Sequence, residues 1–259
     1  MLSILFTFAH YALTPIRFIL FMLVLNMFFH IIGNLENQIA IQQLVVIGSK
    51  MLLYLLYMNV VISHEDVVKY LEYVYTNKKF LVVFNHTTFI DGFILLSTFP
   101  CCCFLMLKTY AYNVIGYTEK FHQNTKGIFI SKGETTAKII EQVEKRKSGD
   151  FVLFVAPGSG NVASIPGNIT EFKGMGAFAG KFPVLPVIIK YEDESLNHNH
   201  EHGESMVHSC LKLFLLNNYR IDIKVGDMIE PIENETIEEY KDRVYNIMND
   251  EYHSLQKMV

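Results

Sequence analysis

Beyond Ile62 the chain alternates short apolar runs with stretches whose apolar residues recur at helical spacing, as strands and helices do when they follow one another. Phe80 to Phe84 is a continuous apolar run of strand length between Lys78-Lys79 and Asn85, as expected of a strand buried on both faces. Phe151 to Val155 reads as the next buried strand, and Val187 to Tyr191 as a further strand. Glu134 to Lys147 has helix-forming composition with Ile139, Ile140 and Val143 on one side, and Gly149-Asp150 ends it. Thr88 is placed to cap a helix carrying Phe93, Ile94, Leu95 and Leu96. Ser209 to Leu216 reads as helix, and Tyr219 to Val225 alternates as a strand does. Thr236-x-x-Glu239 then opens a charged helix running towards Met258. The repetition implies an α/β sheet domain.

Two longer apolar segments precede it. Phe18 to Ile32 spans about 22 Å as a helix, short of the roughly 30 Å of a bilayer core, and Pro15 and Arg17 interrupt its extension towards Met1. Leu44 to Ile62 is the second, diluted by Ser49, Lys50 and Asn59. The pair reads as a helical hairpin that dips into one leaflet, or as one spanning helix followed by an amphipathic one. No basic stretch precedes the first run and no small-residue cleavage site follows it, which argues against a signal peptide. The expected division is membrane-associating helices over 1–62 and a sheet domain over 63–259.

Composition supports a membrane-associated protein. With 51% hydrophobic and 19% charged residues, 259 residues bury one sizeable core and still expose apolar surface. A net charge of -4 carries no nucleic-acid footprint, so no nucleic-acid partner is expected. Trp is absent, which leaves interfacial anchoring to Tyr, Phe and basic side chains. Cys101-Cys102-Cys103 and the solitary Cys210 lack zinc-ligand spacing and read as packed thiols on a reducing face. The polar tract containing His198, His200 and His202 follows a strand and reads as a solvated loop, so no metal is expected.

The most specific chemistry lies where the apolar run 80–84 ends. His86 and Asp91 stand five residues apart, too far round an ideal helix to share a face. They can pair only if His86 occupies the turn between strand and helix. There, a carboxylate accepting from one ring nitrogen fixes the tautomer and leaves the other nitrogen to take a proton from a hydroxyl. The alternative is a capping box formed by Thr88 and Asp91, with His86 an ordinary turn residue.

Asn85-His86-x-x-x-x-Asp91 resembles the N-H-x-x-x-x-D block of the glycerophospholipid acyltransferase family, typified by lysophosphatidate acyltransferases. Three further segments resemble that family's blocks in the same order. Gly127 to Lys132 is an apolar strand ending in a basic residue, usually arginine in the family. Ala156-Pro157-Gly158-Ser159 stands where P-E-G-T belongs. Phe172 to Phe178, followed by the proline-flanked Phe182 to Val187, is similar to the F-K-x-G-A-F segment and the fourth block. The resemblance covers roughly Lys79 to Tyr191. It implies a mixed α/β sheet flanked by helices behind a hydrophobic hairpin, at the endoplasmic reticulum if the cell is eukaryotic, with its site on the cytosolic face. It also implies acyl-coenzyme A as co-substrate, no cofactor, a lysophospholipid acceptor and contact with membrane lipid. His86 and Asp91 would be catalytic. Lys132 would hold a phosphate, Gly158, Ser159 and Gly160 would supply backbone donors to the oxyanion, and Lys173 would lie in a phosphate-approaching loop. The family's third-block glutamate is missing, its place taken by Pro157 or Gly158 according to the alignment. Lysophosphatidate is therefore the leading acceptor, beside another lysophospholipid or a neutral glycerolipid; a degenerate lipid-binding protein is the non-enzymatic alternative.

Overall fold

A computed structural model describes residues 2–88, 90–107, 119–131, 133–158, 167–193, 212–215 and 219–256. The strands are β1 (Met58–Ile62), β2 (Leu81–Phe84), β3 (Cys102–Leu107), β4 (Ile128–Ile130), β5 (Val152–Val155), β6 (Val184–Tyr191) and β7 (Tyr219–Val225). They form one sheet in the order β1-β7-β6-β2-β5-β3-β4, parallel throughout except for the antiparallel pair β6–β7. Central β2 is buried along its whole length, which is why its sequence shows no polar alternation.

The twofold repeat of the strand still sorts side chains between two cores. Val82 and Phe84 point to one face, where they meet the hairpin α1 (Leu2–Gly33) and α2 (Gln38–Leu55), together with α3 (His64–Val74) and α4 (Asp91–Thr98). Leu81 and Val83 point to the other. That face is covered by Ile139 and Val143 of α6 (Thr135–Lys145) and by Tyr240, Val244 and Met248 of α7 (Ile237–Gln256). The expected capping box opens α7: the Thr236 N–H donates to the Glu239 carboxylate at 2.8 Å and the Glu239 N–H to the Thr236 hydroxyl at 3.2 Å. Beside the hairpin, α5 (Glu119–Asn124) places the Asn124 amide on the carbonyls of Ile32 and Leu35, closing the end of α1.

Three sequence expectations change. Pro15 and Arg17 do not interrupt the first helix, which runs unbroken over 32 residues. Arg17 is buried because its guanidinium donates to the Leu55 carbonyl at 2.9 and 3.0 Å and to the Phe214 carbonyl at 3.3 Å, and stacks 3.8 Å over the Tyr57 ring. It thereby satisfies the orphan carbonyl at the end of α2. Ala12–Gly33 is consequently about 33 Å long and sufficient by length and apolarity to cross a membrane, as is Gln38–Leu55. The second apolar segment also divides: helix ends at Leu55 and residues from Met58 enter the sheet as β1, paired to β7. Finally, Thr88 is not the cap of α4, which begins at Asp91 behind Ile90. Of the expected helix 209–216 only 212–215 is described, and it is helical; the histidine-rich tract and Cys210 lie outside the described residues.

Candidate active site

The parallel strands end along one edge of the sheet, where Asn85 and His86 follow β2, Ala156 to Gly158 follow β5 and Ser131 follows β4. Asn85 is buried and extends the ladder beyond Phe84: its side-chain amide donates to the Ile189 carbonyl at 2.7 Å and accepts from the Ile189 N–H at 2.8 Å. The chain is thereby pinned to β6 just before it turns. His86 sits in that turn, 37% exposed, with Nδ1 2.8 Å from the fully buried Oδ2 side of Asp91. A carboxylate only accepts, so Nδ1 carries the proton and Nε2 presents a lone pair.

Oδ2 of Asp91 also accepts the backbone N–H groups of Thr87 at 2.6 Å and Thr88 at 2.9 Å. The Thr88 hydroxyl accepts from the Ile90 N–H at 3.1 Å. Half of a capping box is thus present, since the carboxylate reaches back to Thr88, but the hydroxyl serves Ile90 rather than Asp91. The two readings of Thr88-x-x-Asp91 converge on one carboxylate, which holds both the turn and the imidazole. Its other oxygen, Oδ1, accepts from the hydroxyl of Tyr191 at the end of β6. Burial and the neighbouring carboxylate raise the phenol's ionisation well above the ordinary tyrosine range.

The turn after β5 is packed against the segment that resembles F-K-x-G-A-F. A Cβ at Gly158 would lie 2.8 Å from the Thr170 carbonyl oxygen and 2.9 Å from that of Glu171, so no side chain fits there. Neither Pro157 nor Gly158, the two residues that can stand in the place of the family's glutamate, carries a carboxylate. The Pro157 carbonyl accepts from the Gly174 N–H at 3.0 Å, placing exposed Lys173 beside this turn. Lys132, Ser159 and Gly160 lie outside the described residues. The strand before Lys132 is three places from β2, about 14 Å along the sheet edge.

Residues 65–190 match the profile of the Acyltransferase family. They form an acyltransferase domain. Its fold is similar to that of the 1-acyl-sn-glycerophosphate acyltransferase PlsC from Thermotoga maritima, with a TM-score of 0.64 over 94% of this chain and 98% of that one, at 16% identity. No curated protein sequence matches the chain significantly.

Two residues at this edge of the sheet went unread in the sequence. Asn85 was visible only as a motif letter, although its amide joins β2 to β6. Tyr191 carried no signal at all as a partner of Asp91, because the two are 100 residues apart and meet only when β6 lies beside β2. The same-face set Val187, Ile189 and Tyr191 follows from alternation in β6, but its neighbour does not.

Proposed function

We propose that the chain transfers a fatty acyl group from acyl-coenzyme A to the free hydroxyl of a lysophospholipid, with lysophosphatidate the leading acceptor, in membrane phospholipid synthesis or remodelling. The observation that carries this is the His86–Asp91 pair at the carboxyl edge of the sheet, inside an acyltransferase domain. Nε2 of His86 removes the acceptor's hydroxyl proton as that oxygen attacks the thioester carbonyl. The carbonyl oxygen becomes an oxyanion, to which backbone N–H groups of Gly158, Ser159 and Gly160 donate. As the C–S bond breaks, the imidazolium returns its proton to the coenzyme A sulfur. Asp91 supports both states by holding the Nδ1 proton throughout. No metal or cofactor takes part in this sequence.

Lys132 binds the acceptor phosphate in this reading. The roughly 14 Å between its strand and β2 suits an acceptor laid along the edge, its hydroxyl at His86 and its phosphate met by a lysine side chain of about 6 Å reach. The apolar hairpin brings the site to lipid held in the membrane. The missing third-block glutamate favours a second reading, a neutral glycerolipid acceptor, since a carboxylate able to bond acceptor hydroxyls or pair with the second-block cation is gone.

The test is purified protein in detergent micelles given labelled acyl-coenzyme A and a panel of lysophosphatidate, other lysophospholipids and diacylglycerol, with products identified by mass. Acylated lysophospholipid is expected, and folded His86→Ala should make it about 10²–10⁴-fold more slowly. Lys132→Ala should raise KM for lysophosphatidate roughly 10- to 100-fold and leave KM for an uncharged acceptor unchanged. Transfer to diacylglycerol alone would favour the second reading, and wild-type turnover by folded His86→Ala would remove histidine from the reaction.

A further inference from the structure

We propose that Tyr191 is a positioning residue for the transfer reaction: its hydroxyl holds Oδ1 of Asp91 so that Oδ2 stays aimed at His86. This rests on the reading of His86 as the base. Tyr191 lies one residue beyond the matched family segment and is not among the motif residues.

Asp91 is fully buried, and its two oxygens have unequal work. Oδ2 serves His86 Nδ1 and two backbone N–H groups, whereas Oδ1 receives the Tyr191 hydroxyl. A carboxylate is free to turn about its last torsion, which is broad and nearly twofold. Donors on both oxygens remove that freedom and fix the plane that His86 meets. The phenol is itself held: it is completely buried on β6, its ring lies 6.1 Å from that of Tyr219 on β7, and β6 is tied to β2 through Asn85. Because its ionisation lies well above the ordinary range, the hydroxyl remains a donor wherever the enzyme works.

The hydroxyl also sets how strongly the carboxylate attracts the proton on His86. The titratable groups gathered here are His86 on the turn, Asp91 on α4, Tyr191 on β6 and, behind it, Tyr219 on β7; the Thr88 hydroxyl lies beside the phenol. Without the donor on Oδ1, more negative charge faces the imidazole.

The experiment uses the full chain in micelles with palmitoyl-coenzyme A and whichever panel acceptor is turned over fastest. Tyr191→Phe removes the hydroxyl and keeps the ring. Its kcat should fall roughly tenfold with both KM values within about twofold, as loss of one bond to a charged group implies. The acidic limb of the kcat profile should move to higher pH, which a merely structural defect would not produce. In combination with Asp91→Ala the substitution should add nothing further, because that variant leaves no side-chain oxygen for the hydroxyl to hold. If Tyr191→Phe does not fold, 3-fluorotyrosine at position 191 alone supplies a stronger donor and should move the limb to lower pH. An unmoved limb in either variant, or full additivity with Asp91→Ala, overturns the proposal. Inactive His86→Ala beside unaltered Tyr191→Phe refutes this inference alone; active, folded His86→Ala refutes the reading beneath it.

Discussion

Replacing Asp91 by asparagine separates the two tasks of that side chain. The amide oxygen takes the Oδ2 position, because the backbone N–H groups of Thr87 and Thr88 and the His86 Nδ1 proton all require an acceptor there. The amide NH₂ then faces Tyr191, whose hydroxyl turns to accept from it. The turn therefore survives, at a cost of about 1–2 kcal/mol for exchanging charge-assisted bonds for neutral ones, or a few degrees in Tm. The catalytic loss is larger. A unit charge about 4 Å from the imidazolium, in surroundings of effective dielectric about 20, contributes about 4 kcal/mol to stabilising it. Asparagine forfeits this in the transition state, where His86 becomes cationic. The expected fall in kcat is thus about 10³-fold, with KM for donor and acceptor nearly unchanged. Steady-state acyl transfer in micelles measures the rate, and thermal unfolding of the same sample reports the fold. A folded Asp91→Asn protein with kcat within tenfold of wild type would refute the electrostatic role assigned to the carboxylate.

Gly158→Ala should lower stability by about 1–3 kcal/mol, since the new Cβ meets backbone oxygens at 2.8 and 2.9 Å that cannot swing aside; Gly92→Ala, with nothing within 4 Å, should cost far less in the same unfolding assay. Leu23 and Met27 are 55% and 61% exposed on one stripe of α1, and Leu23→Glu with Met27→Glu should shift the protein from vesicle-bound to supernatant in flotation while Leu23→Ala with Met27→Ala does so less; equal binding by both would exclude this stripe as a lipid contact. Burial raises the thiols at 101–103, that of Cys103 to about 12, so at pH 8 they remain protonated and should resist iodoacetamide until denaturant is added; rapid labelling of the peptide 101–103 in folded protein, read by mass, would contradict that packing.

Local rules made much of this molecule legible. Tyr219 to Val225 forms β7 as its alternation predicts, and Glu134 to Lys147 contains α6, because a period of two or 3.6 needs only neighbouring residues to express itself. The apolar run 80–84 announced β2, and the five-residue spacing of His86 and Asp91 announced a turn between strand and helix. Continuity of apolar residues was a poorer guide. It merged the end of α2 with β1, because apolarity signals burial and leaves conformation open, and β1 becomes a strand only through pairing with β7 more than 150 residues later. Arg17 looked like an interruption, yet the carbonyls of Leu55 and Phe214 accept its donors and let the helix run on. At the site, spacing determined that His86 and Asp91 could meet. Strand order decided what surrounds them: β6 lies against β2, Asn85 locks it there, and Tyr191 reaches the far oxygen of Asp91. Such contacts join groups about 100 residues apart, and a sequence pattern read through near neighbours has no means of expressing which distant strand folds alongside.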